Sequence, residues 1–159
     1  MKHDFAVTVA REGASWQVRA FKDDYRSLDT AITAVRNLRA EEAAFALLSV
    51  EDDYFVIVRP TPQGVRFLLS DATAAVEDDF AADILDELDV EIPEIDPDEL
   101  ENTEPWAEGD FDILADLGLS EEVMSVICDE TDWWASEQLQ RIAEELGFED
   151  ELADAAGLE

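Results

Sequence analysis

The chain has 159 residues, of which 42 are Asp or Glu and only 10 are Lys or Arg, for a formal net charge of −32 at pH 7. A hydrophobic share of 47% supplies a real core and excludes a wholly disordered acidic chain, which would be poor in apolar residues. The shortage of bases excludes sequence-general binding to DNA or RNA, because phosphates are held by Lys and Arg.

Phe5, Val7 and Val9 alternate with Ala6, Thr8 and Ala10, the period of a half-buried strand. Glu12-Gly13-Ala14-Ser15 supplies a turn, and Trp16, Val18 and Ala20 alternate with Gln17 and Arg19, so a β-hairpin opens the chain. From Ser27 the period becomes helical. Leu28, Ala31, Ile32, Val35 and Leu38 share a face, Ser27 is the N-cap, and Arg36 and Arg39 lie near the C-terminal end. Three strands follow: apolar Ala44–Val50, then Tyr54–Val58 after the acidic turn Glu51-Asp52-Asp53, then Val65, Phe67 and Leu69 after the break at Pro60-Thr61-Pro62-Gln63-Gly64. The order β-β-α-β-β-β with short loops predicts a mostly antiparallel sheet with the helix across one face. Ser70-Asp71 then caps a second helix, from Ala72 to about Leu88, with Val76, Phe80, Ile84, Leu85 and Leu88 inward and acids outward.

Residues 89–108 hold nine acids, no base and three of the five prolines, and read as an extended linker. Its Val90, Ile92, Ile95 and Leu100 are more apolar than a spacer needs, which leaves folding on a partner as an alternative to a disordered tether. Beyond it, Asp112–Gly118 reads as a short helix ended by glycine, and Ser120 caps a helix with Glu121 and Glu122 in its first turn. Thr131 or Asp132 starts a helix carrying Ala135, Leu139, Ile142, Ala143 and Leu146 on one face; Gly147 stops it, and Glu149–Ala156 forms a last short turn. The expected architecture is α+β: an α+β domain at 1–88 (β-β-α-β-β-β-α), an acidic Pro-containing linker at 89–108, and a small helical region at 109–159. Some fifty residues of short helices would make a marginal domain alone, so the last region needs the sheet or a partner to stay folded.

Charge follows this division. Residues 1–66 carry 9 bases and 10 acids, whereas residues 67–159 carry Arg141 and 32 acids. Acidity selected for salt tolerance or solubility would coat the whole surface; this split suggests a near-neutral platform bearing an acidic module.

Little chemistry can be assembled from the remaining residue types. His3 and Cys128 are the only histidine and cysteine, so this chain alone builds neither a disulfide nor the usual Cys/His zinc site, and a catalytic dyad would have to recruit His3. Cys128, in Val123-Met124-Ser125-Val126-Ile127-Cys128, reads as a small core hydrophobe. A calcium loop begun at Asp96 fails at positions 5 and 6, which are Leu100 and Glu101. Among 42 acids some close pair arises by chance, and none is singled out for acid–base work. No catalytic, cofactor-binding or metal-ligating residue is therefore assigned. With no signal peptide and no stretch near the ~20 apolar residues of a membrane span, the expectation is a cytoplasmic protein with no membrane partner. Trp133-Trp134, with Trp106 and Phe111, either complete a small helical core or form a binding hot spot.

Two stretches carry a family resemblance: Tyr54-Phe55-Val56-Ile57-Val58-Arg59-Pro60 with Val65–Ala72, and Gly109-Asp110-Phe111-Asp112-Ile113-Leu114-Ala115-Asp116-Leu117-Gly118-Leu119. With the acidic linker between them, the chain resembles the tRNA adenosine deaminase-associated proteins of high-GC Gram-positive (actinobacterial) organisms over nearly its full length. The resemblance implies a partner in tRNA wobble modification and not an activity, since the deaminase's own His-x-Glu and Pro-Cys-x-x-Cys zinc signature is missing. The expected function is a non-enzymatic accessory protein that binds a basic partner, the deaminase being the candidate, with no direct nucleic-acid contact. Expected contacts are Phe111, Leu114 and Trp134 as apolar anchors rimmed by Asp110, Asp112 and Asp116. A nucleic-acid mimic regulating another basic protein is the alternative. An enzyme built on carboxylates and a metal is a third reading, disfavoured by the missing ligands.

Overall fold

In the computed structural model, which describes residues 5–20, 28–38, 43–130 and 132–157, the first alternating segments form strands β1 (Phe5–Glu12) and β2 (Ser15–Ala20). Gly13 heads the two-residue turn between them at φ +62°, a backbone region that glycine enters without penalty. Helix α1 (Leu28–Asn37) leads to strands β3 (Ala44–Val50), β4 (Tyr54–Thr61) and β5 (Gly64–Leu69). The predicted Ser27 cap, Arg39 and His3 lie outside the described residues. Among the described residues these strands and the two-residue β6 (Glu108–Gly109) form one sheet in the order β2-β1-β3-β4-β5-β6, each neighbouring pair antiparallel. The fold is α+β.

β4 runs further than its composition suggested. Pro60 was expected to break the chain, yet it pairs with Val65 inside the β4–β5 ladder. The β3–β4 ladder ends at Ala46↔Val58, so at Pro60 the missing N–H leaves no β3 bond unmade.

The helices do not share one face of the sheet. Ala6, Ala46, Leu48, Val56, Val58, Phe67 and Leu69 are buried under α1 and α2 (Asp79–Glu87), against Ala31, Val35, Phe80, Ile84 and Leu85. The alternate side chains Val7, Val9, Phe45, Leu47, Phe55, Ile57 and Leu68 are buried under α3 (Glu121–Asp129), α4 (Ala135–Leu146) and α5 (Glu149–Ala156). A sheet covered on both faces must be apolar at every position, which explains why β3 and β4 read as uninterrupted hydrophobic runs. Edge strand β2 has no such cover on its outer side and keeps the polar alternation.

Three segments differ from expectation. The helix expected over Ala72–Leu88 is two pieces, a 3-10 turn at Ala72–Val76 and then α2. Asp78 divides them: its carboxylate accepts the Phe80 N–H at 2.9 Å and the Tyr54 hydroxyl at 2.7 Å, so it begins a helix instead of sitting inside one. Residues 89–108 are not simply extended. They hold a 3-10 turn at Pro97–Asn102 and, at their end, the first residue of strand β6 (Glu108–Gly109), which pairs with β5 through Leu69↔Glu108 and Leu68↔Gly109. Gly109, at φ +127°, is required there, because a Cβ would overlap the Phe67 carbonyl oxygen.

Asp112–Gly118 is a run of turns with one 3-10 turn at Ala115–Leu117, and not an α-helix. In a helix the Ile113 carbonyl would accept the Leu117 N–H. Arg59 takes that carbonyl instead, at 2.7 Å, and Leu117 N–H turns to Leu114 at 3.0 Å. Gly118 ends the segment at φ +118°, the role expected of it. Ser120 caps α3 as expected, its hydroxyl accepting the Val123 N–H at 3.3 Å.

Candidate functional site

Two arginines of the sheet reach the segment after β6. Arg59 on β4 grips Asp116 with both guanidinium nitrogens, at 2.7 and 2.9 Å, while also donating to Ile113. Arg66 on β5 bonds Asp112 and lies 3.4 Å from Asp110. Thus Asp110, Asp112 and Asp116, the rim expected from sequence, are brought together, but around bases of this same chain. Fork-shaped guanidinium–carboxylate pairing of this kind fixes geometry as well as charge. It docks the Gly109–Leu119 stretch onto β4 and β5.

The hydrogen bond from Arg59 holds the Asp116 carboxyl below the ordinary aspartate range, although partial burial opposes it. A depressed folded-state pKa contributes stability above the unfolded value of ~3.9, and that contribution is lost as pH falls through the folded value. Asp116 is 61% exposed, so screening keeps the effect small. Asp116→Asn is expected to lower stability by less than about 1 kcal/mol at neutral pH. The deficit should vanish as pH falls through the lowered folded-state value, below the ordinary aspartate range. Urea titrations across that range measure it, and a deficit undiminished at the acid end would refute the pairing as its source.

The apolar anchors do not gather beside these acids. Leu114 is fully buried in the core beneath α3–α5, and Phe111 is half-buried against the same cluster. Trp134 is exposed at the N-cap of α4. That helix end sits over the β3–β4 turn, where the Asp52 carboxylate accepts the Ser136 N–H at 2.7 Å. Arg59 lies further along β4, roughly 16 Å from Tyr54 at ~3.3 Å per residue. The six residues therefore form no single surface: three acids in a clasp, two hydrophobes in or against the core, and one indole elsewhere. Of the expected helix starts, Thr131 lies outside the described residues; Asp132 is in a turn before α4 and does not cap it.

Outward-facing apolar surface lies instead between α3 and α4. A groove of about 460 Å³ is lined by Val126 and Trp133 together with Glu130, Glu137, Arg141 and Glu144. Val126 is 61% and Trp133 40% exposed. Of the two readings of the tryptophans, completion of the core fails for Trp106, Trp133 and Trp134, all exposed. The groove residues other than Trp133 were not singled out from sequence. A signal was present: Glu137, Gln140, Arg141 and Glu144 recur at helical spacing opposite Leu139, Ile142 and Ala143, and Val126 is one apolar residue more than the inner face of α3 uses.

A second concavity, of about 970 Å³, lies where the β3–β4 turn meets α2 and carries Glu51, Asp53, Asp71, Glu77 and Asp79. Burial raises the Asp71 carboxyl above its ordinary range, despite hydrogen bonds from Thr73, and the charge of Asp53 adds to the rise. Among the described residues, no group of three or more His, Cys, Asp or Glu is placed to hold a metal ion. Cys128 is buried, as a small core hydrophobe should be; burial pushes its thiol up to about 12, so it stays protonated and un-nucleophilic at neutral pH. No helix among the described residues is long and apolar enough to cross a membrane.

Comparison with known proteins supplies the remaining observations. A family model described as Rv3753c-like tRNA adenosine deaminase-associated protein matches residues 4–149. The chain is 51% identical over 150 residues to Protein Rv3753c of Mycobacterium tuberculosis (strain ATCC 25618 / H37Rv), an alignment covering 94% of this chain and 85% of that protein. No solved structure matches. The matched region spans the sheet, the Arg59–Asp116 clasp and the groove alike.

Proposed function

The chain belongs to the Rv3753c-like tRNA adenosine deaminase-associated protein family, and from that premise we propose that it is a non-enzymatic accessory protein that binds the tRNA adenosine deaminase in the cytoplasm. The observation that carries this reading is the charge: 32 of the 42 acids follow residue 66, with Arg141 as the single base among them. A deaminase that grips tRNA must present positive charge to the phosphates, and an acidic surface is steered to that same charge. Arg141 is itself held by Glu144 and Glu145, at 3.2 and 2.7 Å, so it does little to break the negative field. The alternative of a nucleic-acid mimic acting on other basic proteins rests on the same charge and has no separate observation in its favour.

Titration calorimetry with purified tRNA adenosine deaminase tests the proposal. Binding is expected at low salt and should weaken as salt rises, because the Debye length falls from about 30 Å at 0.01 M to about 8 Å at 0.15 M. Absence of binding at low salt overturns the reading. Equal binding to an unrelated set of basic nucleic-acid-binding proteins, displaced by single-stranded RNA, would transfer it to the mimic.

A further inference from the structure

We propose that the groove between α3 and α4 is a docking site for a basic amphipathic helix of a protein partner; only the identity of that partner, the deaminase, rests on the function proposed above. The floor comes first. Met124, Ile127 and Cys128 turn the buried face of α3 to the core, and Leu139, Ile142 and Ala143 do the same for α4. Val126 and Trp133 are left exposed in the lining of one groove, apolar area that the core does not bury. Tryptophan is over-represented among the residues that dominate binding energy, and here Trp133 lines a groove with a second exposed hydrophobe.

The rim selects charge. Glu137 and Glu144 stand seven residues apart on one face of α4, roughly 10 Å at 1.5 Å per residue, and Glu130 closes the end near Trp133. Arg141 is committed to its two neighbouring glutamates, which leaves the rim net negative. Glu137 also accepts the Trp134 N–H at 3.0 Å, which fixes it on the groove side of the helix start. The amide of Gln138 donates to the carbonyls of Ile127, at 3.0 Å, and Glu130, at 3.3 Å, and so locks the end of α3 to α4 and keeps the groove preformed.

The shape selects the occupant. Both walls are helices with their backbone bonds already made, so an added strand would find no free ladder here. A helix needs only side-chain contacts, and two turns of apolar residues at i, i+3 or i+4, and i+7 match the length of the rim. Lysines or arginines flanking that stripe would meet Glu130 and Glu137, the two groove carboxylates outside the Arg141 pairs. Apolar anchors set how long such a complex lasts, and rim charges set how fast it forms.

The test uses the full chain and a labelled 14-residue helical peptide of leucine and lysine with leucine at that spacing, titrated by fluorescence anisotropy. The double variant Val126→Ser/Trp133→Ala is expected to weaken binding about tenfold or more. Glu130→Gln/Glu137→Gln should weaken it less and flatten its salt dependence. Asp83→Asn/Asp86→Asn on the outer face of α2 should change it little. Circular dichroism confirms that each variant is folded, as expected for exposed positions. A peptide that does not bind, or that loses affinity equally with the α2 variant, overturns the groove. Repeating the series with purified tRNA adenosine deaminase separates the two proposals. Capture of the peptide but not of the deaminase defeats the accessory reading and leaves the groove standing. Deaminase binding untouched by the groove variants removes the groove as its docking site.

Discussion

Phe148→Ala is expected to destabilise the protein by about 3–5 kcal/mol, the largest effect of any single change considered. The Phe148 ring is fully buried between α4 and α5 and lies 5.0 Å from Trp16 and 6.2 Å from Phe45, ring centre to ring centre. Trp16 comes from edge strand β2 and Phe45 from β3, and these two rings meet edge-on at 6.5 Å. One side chain thus ties the C-terminal helices to strands more than a hundred residues earlier. Its backbone is fixed as well: Gly147 turns the chain at φ +97°, and the Phe148 N–H reaches back to the Ala143 carbonyl at 2.9 Å. Removing the ring forfeits its transfer free energy and leaves a cavity that two other aromatic side chains cannot close without moving. Urea unfolding followed by near- and far-ultraviolet circular dichroism should show one transition with a lowered midpoint. An unchanged midpoint would sink the prediction. Two separated transitions would instead mean that residues 109–159 unfold apart from the sheet.

Asp52→Ala is expected to cost about 1–3 kcal/mol, with Asp52→Asn losing much less. Asp52 is buried in the β3–β4 turn, where Glu51 and Asp52 adopt φ +54° and +58° in succession. Non-glycine residues are strained there, aspartate and asparagine least so. The turn is held by what it does for α4. The first amides of that helix lack partners within it; the Asp52 carboxylate accepts the Ser136 N–H at 2.7 Å, and the Asp52 carbonyl accepts that of Ala135 at 3.2 Å. Alanine removes the first acceptor, leaves a buried N–H unpaired and tolerates the left-handed backbone less well. Asparagine keeps both the oxygen and the backbone tolerance. Denaturation midpoints and amide exchange at Ser136 give the readout, and an alanine variant as stable as the asparagine variant would contradict the capping role.

The same contact shows why the start of α4 was not legible locally. Thr131 and Asp132 are the capping residue types nearest the apolar periodicity, so they were the natural choice. The acceptor used lies 84 residues away in sequence, and no local pattern records it. The helical reading of Asp112–Gly118 failed for a like reason, since Arg59 removes the Ile113 carbonyl from the helix ladder. Phe111 and Leu114 looked like anchors because they are apolar among acids. They are apolar because they meet the core beneath α3–α5.

Local chemistry alone determined a good deal. The strand positions of β1 and β2, the Gly13 turn, the Ser120 cap and the Gly118 and Gly147 stops depend on neighbours within a few residues and stand where they are read. β1, however, is buried on both faces and not half-buried as its alternation suggests. The motifs around Tyr54–Pro60 and Gly109–Leu119 placed the chain in its family, and the charge split was legible directly in the residue counts. Only the tertiary structure decided which acids are spoken for. Asp110, Asp112 and Asp116 are matched by Arg59 and Arg66 across the sheet and Glu144 by Arg141 along α4, whereas Glu130 and Glu137 line the groove outside any such ion pair. Composition counts all of these carboxylates alike; pairing depends on distances of a few ångström between residues dozens of positions apart, which only packing sets.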